Sequence, residues 1–263
     1  MIKQSDIFAD MHTHTIFSLH AYSTIEENLR VAKERGLKYI AITDHYYQDG
    51  TENYKKNENT RNRYMEERIN AFKDVLGVEV ISSAEFNLGQ YPERGKYWNK
   101  VSELRYRPIG FHSFGIEREV LDYNDVYNMF EDSIPYYTTF AHIERELNMI
   151  NHKKYGEELN DSHKKFLDSI VFMAVKNNIL LEVNESSLIS NTGGSADRLK
   201  YWINTAKDMR ALIVLGSDAH FSLEVGNFKN SIKLLNDINY PEDLILNCNE
   251  ELFNNFLNIK KES

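Results

Sequence analysis

Nine side chains in this 263-residue chain are of types that hold divalent cations and fall where a converging site can be built: His12, His14, His20, His45, Glu85, His112, His142, Asp218 and His220. Imidazole nitrogens suit zinc, iron or manganese, and a carboxylate can bridge two ions. A histidine-rich set with two carboxylates therefore reads as a transition-metal centre more than as a calcium or magnesium one. A solitary histidine at a strand end is ordinarily a hydrogen-bonded core or rim residue. The reading turns toward ligation because seven of only nine histidines belong to the set. The other two, His152 and His163, lie in polar helical sequence and are expected to be exposed and without a role.

Spacing adds a constraint. Side chains in a strand alternate faces, so His12 and His14 share one, as do Asp218 and His220 if strand geometry persists through GSDAH, where Gly216 permits a tight backbone. Asp10 and Asp44 precede candidate histidines and are expected either to orient their imidazoles or to take backbone hydrogen bonds.

The elements that must position these groups alternate short apolar, β-prone runs with longer stretches of helical period, a βα rhythm that implies a parallel sheet. Seven strands are expected, at Ile7–His14, Tyr39–Asp44, Val78–Phe86, Arg107–His112, Thr138–His142, Ile179–Asn184 and Leu212–Ser217. Six of them end in a candidate ligand, and in parallel α/β barrels residues at the C-terminal strand ends converge on one mouth. Helices are expected at Ser23–Arg35, with Ser23 or Thr24 as cap and Gly36 as stop, and at Arg61–Leu76, Ser162–Asn177, Ala196–Arg210 and Phe228–Asp237. Pro241–Leu257 reads as a closing helical pair, and Asn191–Ser195 as a helix-entry loop without the lysine of a phosphate-binding loop. Nothing resembling a linker divides the chain, so a single domain over residues 1–263 is expected. The polar stretches 46–63 and 144–165 read as surface loops, or as lids over a site.

A net charge of −9 disfavours a broad nucleic-acid footprint and leaves a small phosphorylated substrate as the natural partner. No apolar run reaches the ~18 residues of a membrane span, the N-terminus lacks a secretory pattern, and Cys248 is the only cysteine. A cytoplasmic protein without disulfides is the expectation. Oligomeric state is open. Arg118 and Arg145 are candidate phosphate clamps, or else surface cations. Asn184 and Ser187, after the sixth strand, could touch substrate or cap backbone.

The ordered motifs DMHTHTIFSLHAYS, AITDH, SAEF, IGFHS, AHIE, LEVNESS and GSDAH resemble those of the PHP (polymerase and histidinol phosphatase) family. HAYST, and LEVNESS followed by GSDAH, are most similar to its YcdX-like trinuclear zinc phosphatases. The resemblance implies a distorted (β/α)7 barrel with two or three divalent ions at the C-terminal ends of its strands, zinc favoured and manganese or iron possible. It also implies a division of ligands: His12, His14, Glu85 and Asp218 for one ion; Glu85, His112 and His142 for a second; His20, His45 and His220 for a third. Glu85, Asp218 and His220 would form the catalytic set. The implied activity is hydrolysis of a small phosphate monoester by attack of a metal-bound hydroxide on phosphorus. Histidinol-phosphate phosphatase and phosphodiesterase or exonuclease are the alternatives within that chemistry. A non-catalytic metal- or phosphate-binding module is the alternative outside it.

Overall fold

In the computed structural model of the chain, residues 1–18, 20–46, 76–88, 104–111, 121–145, 147, 150, 152–156, 158–190 and 194–262 are described. The strands are buried at nearly every position, as expected where both faces are covered. They are β1 (Ala9–Thr13), β2 (Tyr39–Ile42), β3 (Glu79–Ser82), β4 (Phe86–Asn87), β5 (Pro108–Gly110), β6 (Thr139–Ala141), β7 (Leu180–Asn184) and β8 (Ile213–Gly216). All pairings among them are parallel. The order is β1-β2-β3 in one sheet and β4-β5-β6-β7-β8 in the other. Isolated parallel bridges, Ser83 to Tyr106 on one flank and Thr13 to Ala219 on the other, join the two sheets.

This α/β architecture differs from the expected seven strands at one place. The third strand, read as Val78–Phe86, is split into β3 and β4. Residues between them leave the ladder, and the Glu85 N–H turns to the carbonyls of Thr43 and Asp44 at 3.3 and 3.4 Å. Among the described residues the sheets therefore meet through isolated bridges and do not form one continuous closed ladder. The break is functional in position, because it delivers Glu85 to the ends of β1 and β2.

Helix α1 (Ile25–Glu34) starts on Thr24, whose hydroxyl accepts from the Glu27 N–H while the Glu27 side chain reaches back. It stops at Gly36, which takes the left-handed conformation at φ +73°. α2 (Tyr123–Ser133) was not expected, although Asp122 and Asp125 form the same reciprocal cap. α3 (His152–Tyr155) is a single turn, and α4 (Asp161–Asn177) follows the Asn160 cap. α5 (Glu185–Ser190), α6 (Ser195–Asp208) and α7 (Lys229–Asp237) follow β7, α5 and β8 respectively. Gly194 and Ser195 do form a helix entry; residues 191–193 lie outside the described ones.

The closing pair is corrected to two 3-10 turns, Glu242–Leu244 and Leu246–Cys248, followed by α8 (Glu250–Glu262). Asn247 accounts for the irregular stretch. Its side-chain amide donates to the carbonyls of Ala9 and Leu215 and its Oδ1 accepts from the Leu215 N–H, pinning the segment between β1 and β8. Ala9, Met11, Ala41, Ile81 and Val214 then pack with Phe253 and Phe256 of α8. No described helix is long and apolar enough to cross a membrane. The expected helix Arg61–Leu76, apart from Leu76, and the loop 46–63, apart from Tyr46, lie outside the described residues.

Candidate metal centre

The chemistry of this region follows from which nitrogen of each imidazole carries a proton. His12 Nδ1 lies 2.6 Å from Glu182 Oε1. A carboxylate can only accept, so the proton is on Nδ1. His20 Nδ1 donates to the Ser18 carbonyl at 2.6 Å and His220 Nδ1 to the Asp218 carbonyl at 2.8 Å. His14 Nδ1 faces Ser18 Oγ at 2.9 Å, and that hydroxyl gives its own proton to Asp44 Oδ1 at 2.6 Å, so it must accept from His14. All four rings consequently aim Nε2 away from these anchors, which is how histidines are oriented when they ligate metal.

Two of those nitrogens, on His12 and His14, meet carboxylates. His12 Nε2 and His14 Nε2 are 3.1 Å apart. Glu85 Oε2 lies 3.5 and 3.4 Å from them, and Asp218 Oδ1 lies 3.6 and 3.2 Å away. Glu85 also reaches His45 Nδ1 at 3.2 Å and His142 Nε2 at 2.6 Å. Two facing lone pairs flanked by carboxylates need a proton or a cation between them, and the donor set suits a cation. Three groups have ligand atoms that all lie within 4.8 Å of one another: His12–His14–Asp218, His12–Glu85–His142 and His14–His45–Glu85. His20 adds a ring 5.0 Å from that of His45 and 4.8 Å from that of His220. Eight of the nine expected ligands thus come together; the ninth, His112, lies outside the described residues, as does Arg118.

The backbone holds this cluster under strain. The Asp218 N–H donates to the His12 carbonyl and the His14 N–H to the Ala219 carbonyl, tying β1 to the segment after β8. His142 and Asp218 have φ of +30° and +55°, in the region non-glycine residues seldom enter. Gly216 is obligatory for close approach, because a Cβ there would stand 2.2 Å from Glu182 Oε1 and 2.5 Å from His12 Cβ.

Electrostatics follow the same layout. Burial would depress His12, but Glu182, Glu85 and Asp218 outweigh it and hold the imidazole well above its usual value. Burial keeps His14 and His20 below theirs. Burial pushes the Asp218 carboxyl upward, yet Arg145 and His12 more than offset it and hold the group well below the carboxylate range.

Several expected roles change. The Arg145 Nη2 donates to Asp218 Oδ2 at 2.7 Å and Asn184 Oδ1 at 2.8 Å, and both Nη2 and Nε reach Ser187 Oγ at 3.3 Å. It orients Asp218 and is no surface cation. Asn184 and Ser187 are buried; Asn184 Oδ1 caps the Ser187 N–H at the start of α5, and neither stands on an open rim. Asp10 accepts backbone N–H groups from His12, Ser217 and Gly226, and burial lifts its carboxyl to about 6. It touches no imidazole, whereas Asp44 orients His14 through Ser18. His163, expected on the surface, is fully buried against Tyr123, and burial lowers it to about 4; the His152 side chain is outside the described ones. The stretch 144–165 is not one solvated loop, since Glu144 is buried and 152–155 is helical.

Glu182 was missed. It lies in the middle of β7, fully buried, and accepts from His12 Nδ1, the His142 N–H and Asn184 Nδ2. A lone acid inside the apolar run LLEVN is the signal that marks it, since a buried charge persists only when paired.

A family model described as PHP domain matches residues 10–213. The chain is 29% identical over 263 residues to a probable phosphatase of Acetivibrio thermocellus, with 96% of each chain covered. It is 30% identical to a probable phosphatase of Photobacterium profundum, covering 94% of this chain and 92% of that one. Among solved structures, histidinol phosphate phosphatase of Lactococcus lactis, complexed with zinc, L-histidinol and phosphate, aligns with a TM-score of 0.59 at 14% identity, covering 89% of this chain and 94% of that one. At that identity the likeness is one of fold.

Proposed function

We propose, because the chain belongs to the PHP domain family, that it is a metal-dependent phosphoesterase acting on a small phosphate monoester. The observation that carries this reading is the convergence of the oriented Nε2 atoms of His12 and His14 on the carboxylates of Glu85 and Asp218, with the anchored rings of His20 and His220 within 5.9 and 4.8 Å of the His14 ring. In this reading His12, His14, Glu85 and Asp218 hold one divalent ion, Glu85, His142 and His112 a second, and His20, His45 and His220 a third. Zinc is favoured by the resemblance to zinc phosphatases, and manganese or iron would be accepted by the same donors. Such ions, when bound, polarise phosphoryl oxygens and make water nucleophilic near neutral pH.

The protein's part is to bind and orient. Glu85 bridges two groups. Arg145 keeps Asp218 ionised and fixed through Oδ2, leaving Oδ1 toward His12 and His14. His20 is exposed and His220 about one-quarter exposed, whereas the other described candidates are at most 6% exposed, so substrate must approach over His20 and His220. With the net charge of −9, a small monoester fits this entry better than a long polyanion.

Metal binding should depend on pH with a definite sign. Because His12 is held well above its usual value, a cation must displace its proton. Apparent affinity is expected to rise with pH until His12 is deprotonated, and calorimetry in buffers of different ionisation enthalpy should register proton release near neutral pH. Binding without proton release would contradict it.

The functional test is turnover of p-nitrophenyl phosphate, histidinol phosphate and a short oligonucleotide by protein supplied with zinc, manganese or iron. Monoester hydrolysis abolished by chelation is expected. Preference for histidinol phosphate would give the narrower activity carried by the Lactococcus protein's name. Cleavage of the oligonucleotide alone would replace the proposal with a phosphodiesterase.

A further inference from the structure

We infer that Tyr22 and Phe221 form a stacking platform for an aromatic leaving group, so that the preferred esters are phosphate monoesters of arene-bearing alcohols. The inference rests on the phosphoesterase reading and names its substrate class. The two rings stack on each other at 4.7 Å with planes 16° apart. They are 68% and 49% exposed, far from the usual state of large aromatic side chains, and Ile16 and Leu223 nearby are also exposed.

Their location says what would cover them. Tyr22 is two residues from His20, Phe221 is next to His220, and the Tyr22 N–H donates to the His220 carbonyl at 2.9 Å. His20 and His220 are the accessible members of an otherwise buried cluster. In this inference an ester whose phosphoryl group reaches that cluster extends its alcohol outward along this pair.

The pair is also held in place, as a binding surface requires. Glu224 Oε2 accepts from the N–H groups of both His220 and Phe221, and the Ser222 N–H donates to Ser23 Oγ at 2.8 Å. Arg35 clamps the following turn through the carbonyls of Leu223 and Val225. Two exposed rings on a braced backbone offer their free faces to a third planar ring with little ordering to be done on binding.

The test compares benzyl phosphate with ethyl phosphate, whose alcohols are of similar acidity, as a ratio of kcat/KM in the zinc-supplied protein. Tyr22→Ala and Phe221→Ala should each lower the benzyl-to-ethyl ratio by about 3- to 10-fold, the range of one aromatic contact, and mainly through KM. Tyr22→Phe should keep it. An unchanged ratio in both alanine variants overturns the platform. If the wild-type chain turns over neither these esters nor p-nitrophenyl phosphate and histidinol phosphate, the phosphoesterase reading fails, and calorimetry with benzylphosphonate and ethylphosphonate decides the platform separately. A benzyl preference lost in Tyr22→Ala upholds it, and equal affinities reject it.

Discussion

Replacing Glu85 with glutamine should reduce kcat/KM toward a phosphate monoester by at least about 10³-fold, equivalent to ~4 kcal/mol of transition-state stabilisation, and should lower bound metal per chain. Glu85 meets His12, His14, His45 and His142 within 3.5 Å, so one substitution disturbs two of the three candidate groups. Glutamine preserves volume, which separates loss of a ligand from loss of packing at a site 1% exposed. Metal analysis alongside circular dichroism checks it. A folded variant with full metal content and wild-type turnover would remove Glu85 from the centre.

The second large effect is expected at Glu182, which touches no candidate ion position directly. Both its oxygens accept: Oε1 from His12 Nδ1, Oε2 from the His142 N–H and Asn184 Nδ2. Glutamine has one oxygen and one NH2, so whichever way it turns, a donor faces a donor. Glu182→Gln should therefore misorient His12 or His142 and weaken metal affinity by about 10- to 100-fold, the usual consequence of losing such a support. Gly216→Ala should act in the same direction by forcing Glu182 and His12 apart. Competition against a chromogenic chelator measures both variants. Unaltered affinity in the two would show that Glu182 merely fills space.

How much of this was legible in the sequence depends on whether the cause was local. The His-Thr-His spacing worked because residues two apart in extended chain share a face, which the His14 N–H bond to the Ala219 carbonyl maintains just past the end of β1, and α1 was readable from Thr24, Glu27 and Gly36 because capping chemistry spans only a few residues. α2 carried an equally local signal in Asp122 and Asp125 that went unread. His163 was readable too: it falls three and four residues before Phe166 and Leu167, on the face that α4 buries. Arg145 was not, since its partner Asp218 lies 73 residues away and only the fold brings them together. The departure of Glu85 from the β3 ladder was equally invisible, because it is fixed by carbonyls of Thr43 and Asp44 in the segment after β2. The convergence of the described candidate side chains was thus predictable as a set, and the network that orients them was not.

The most direct measurement is the anomalous scattering of crystals grown with zinc and phosphate. Peaks are expected about 2.0–2.1 Å from Nε2 of His12, His14, His20 and His220, with Glu85 shared between two ions and the Nδ1 hydrogen bonds to Glu182, Ser18 and Asp218 intact. Crystals with no peak at this cluster, or with metal on the Nδ1 atoms and those hydrogen bonds broken, would contradict the orientation on which the proposed chemistry depends.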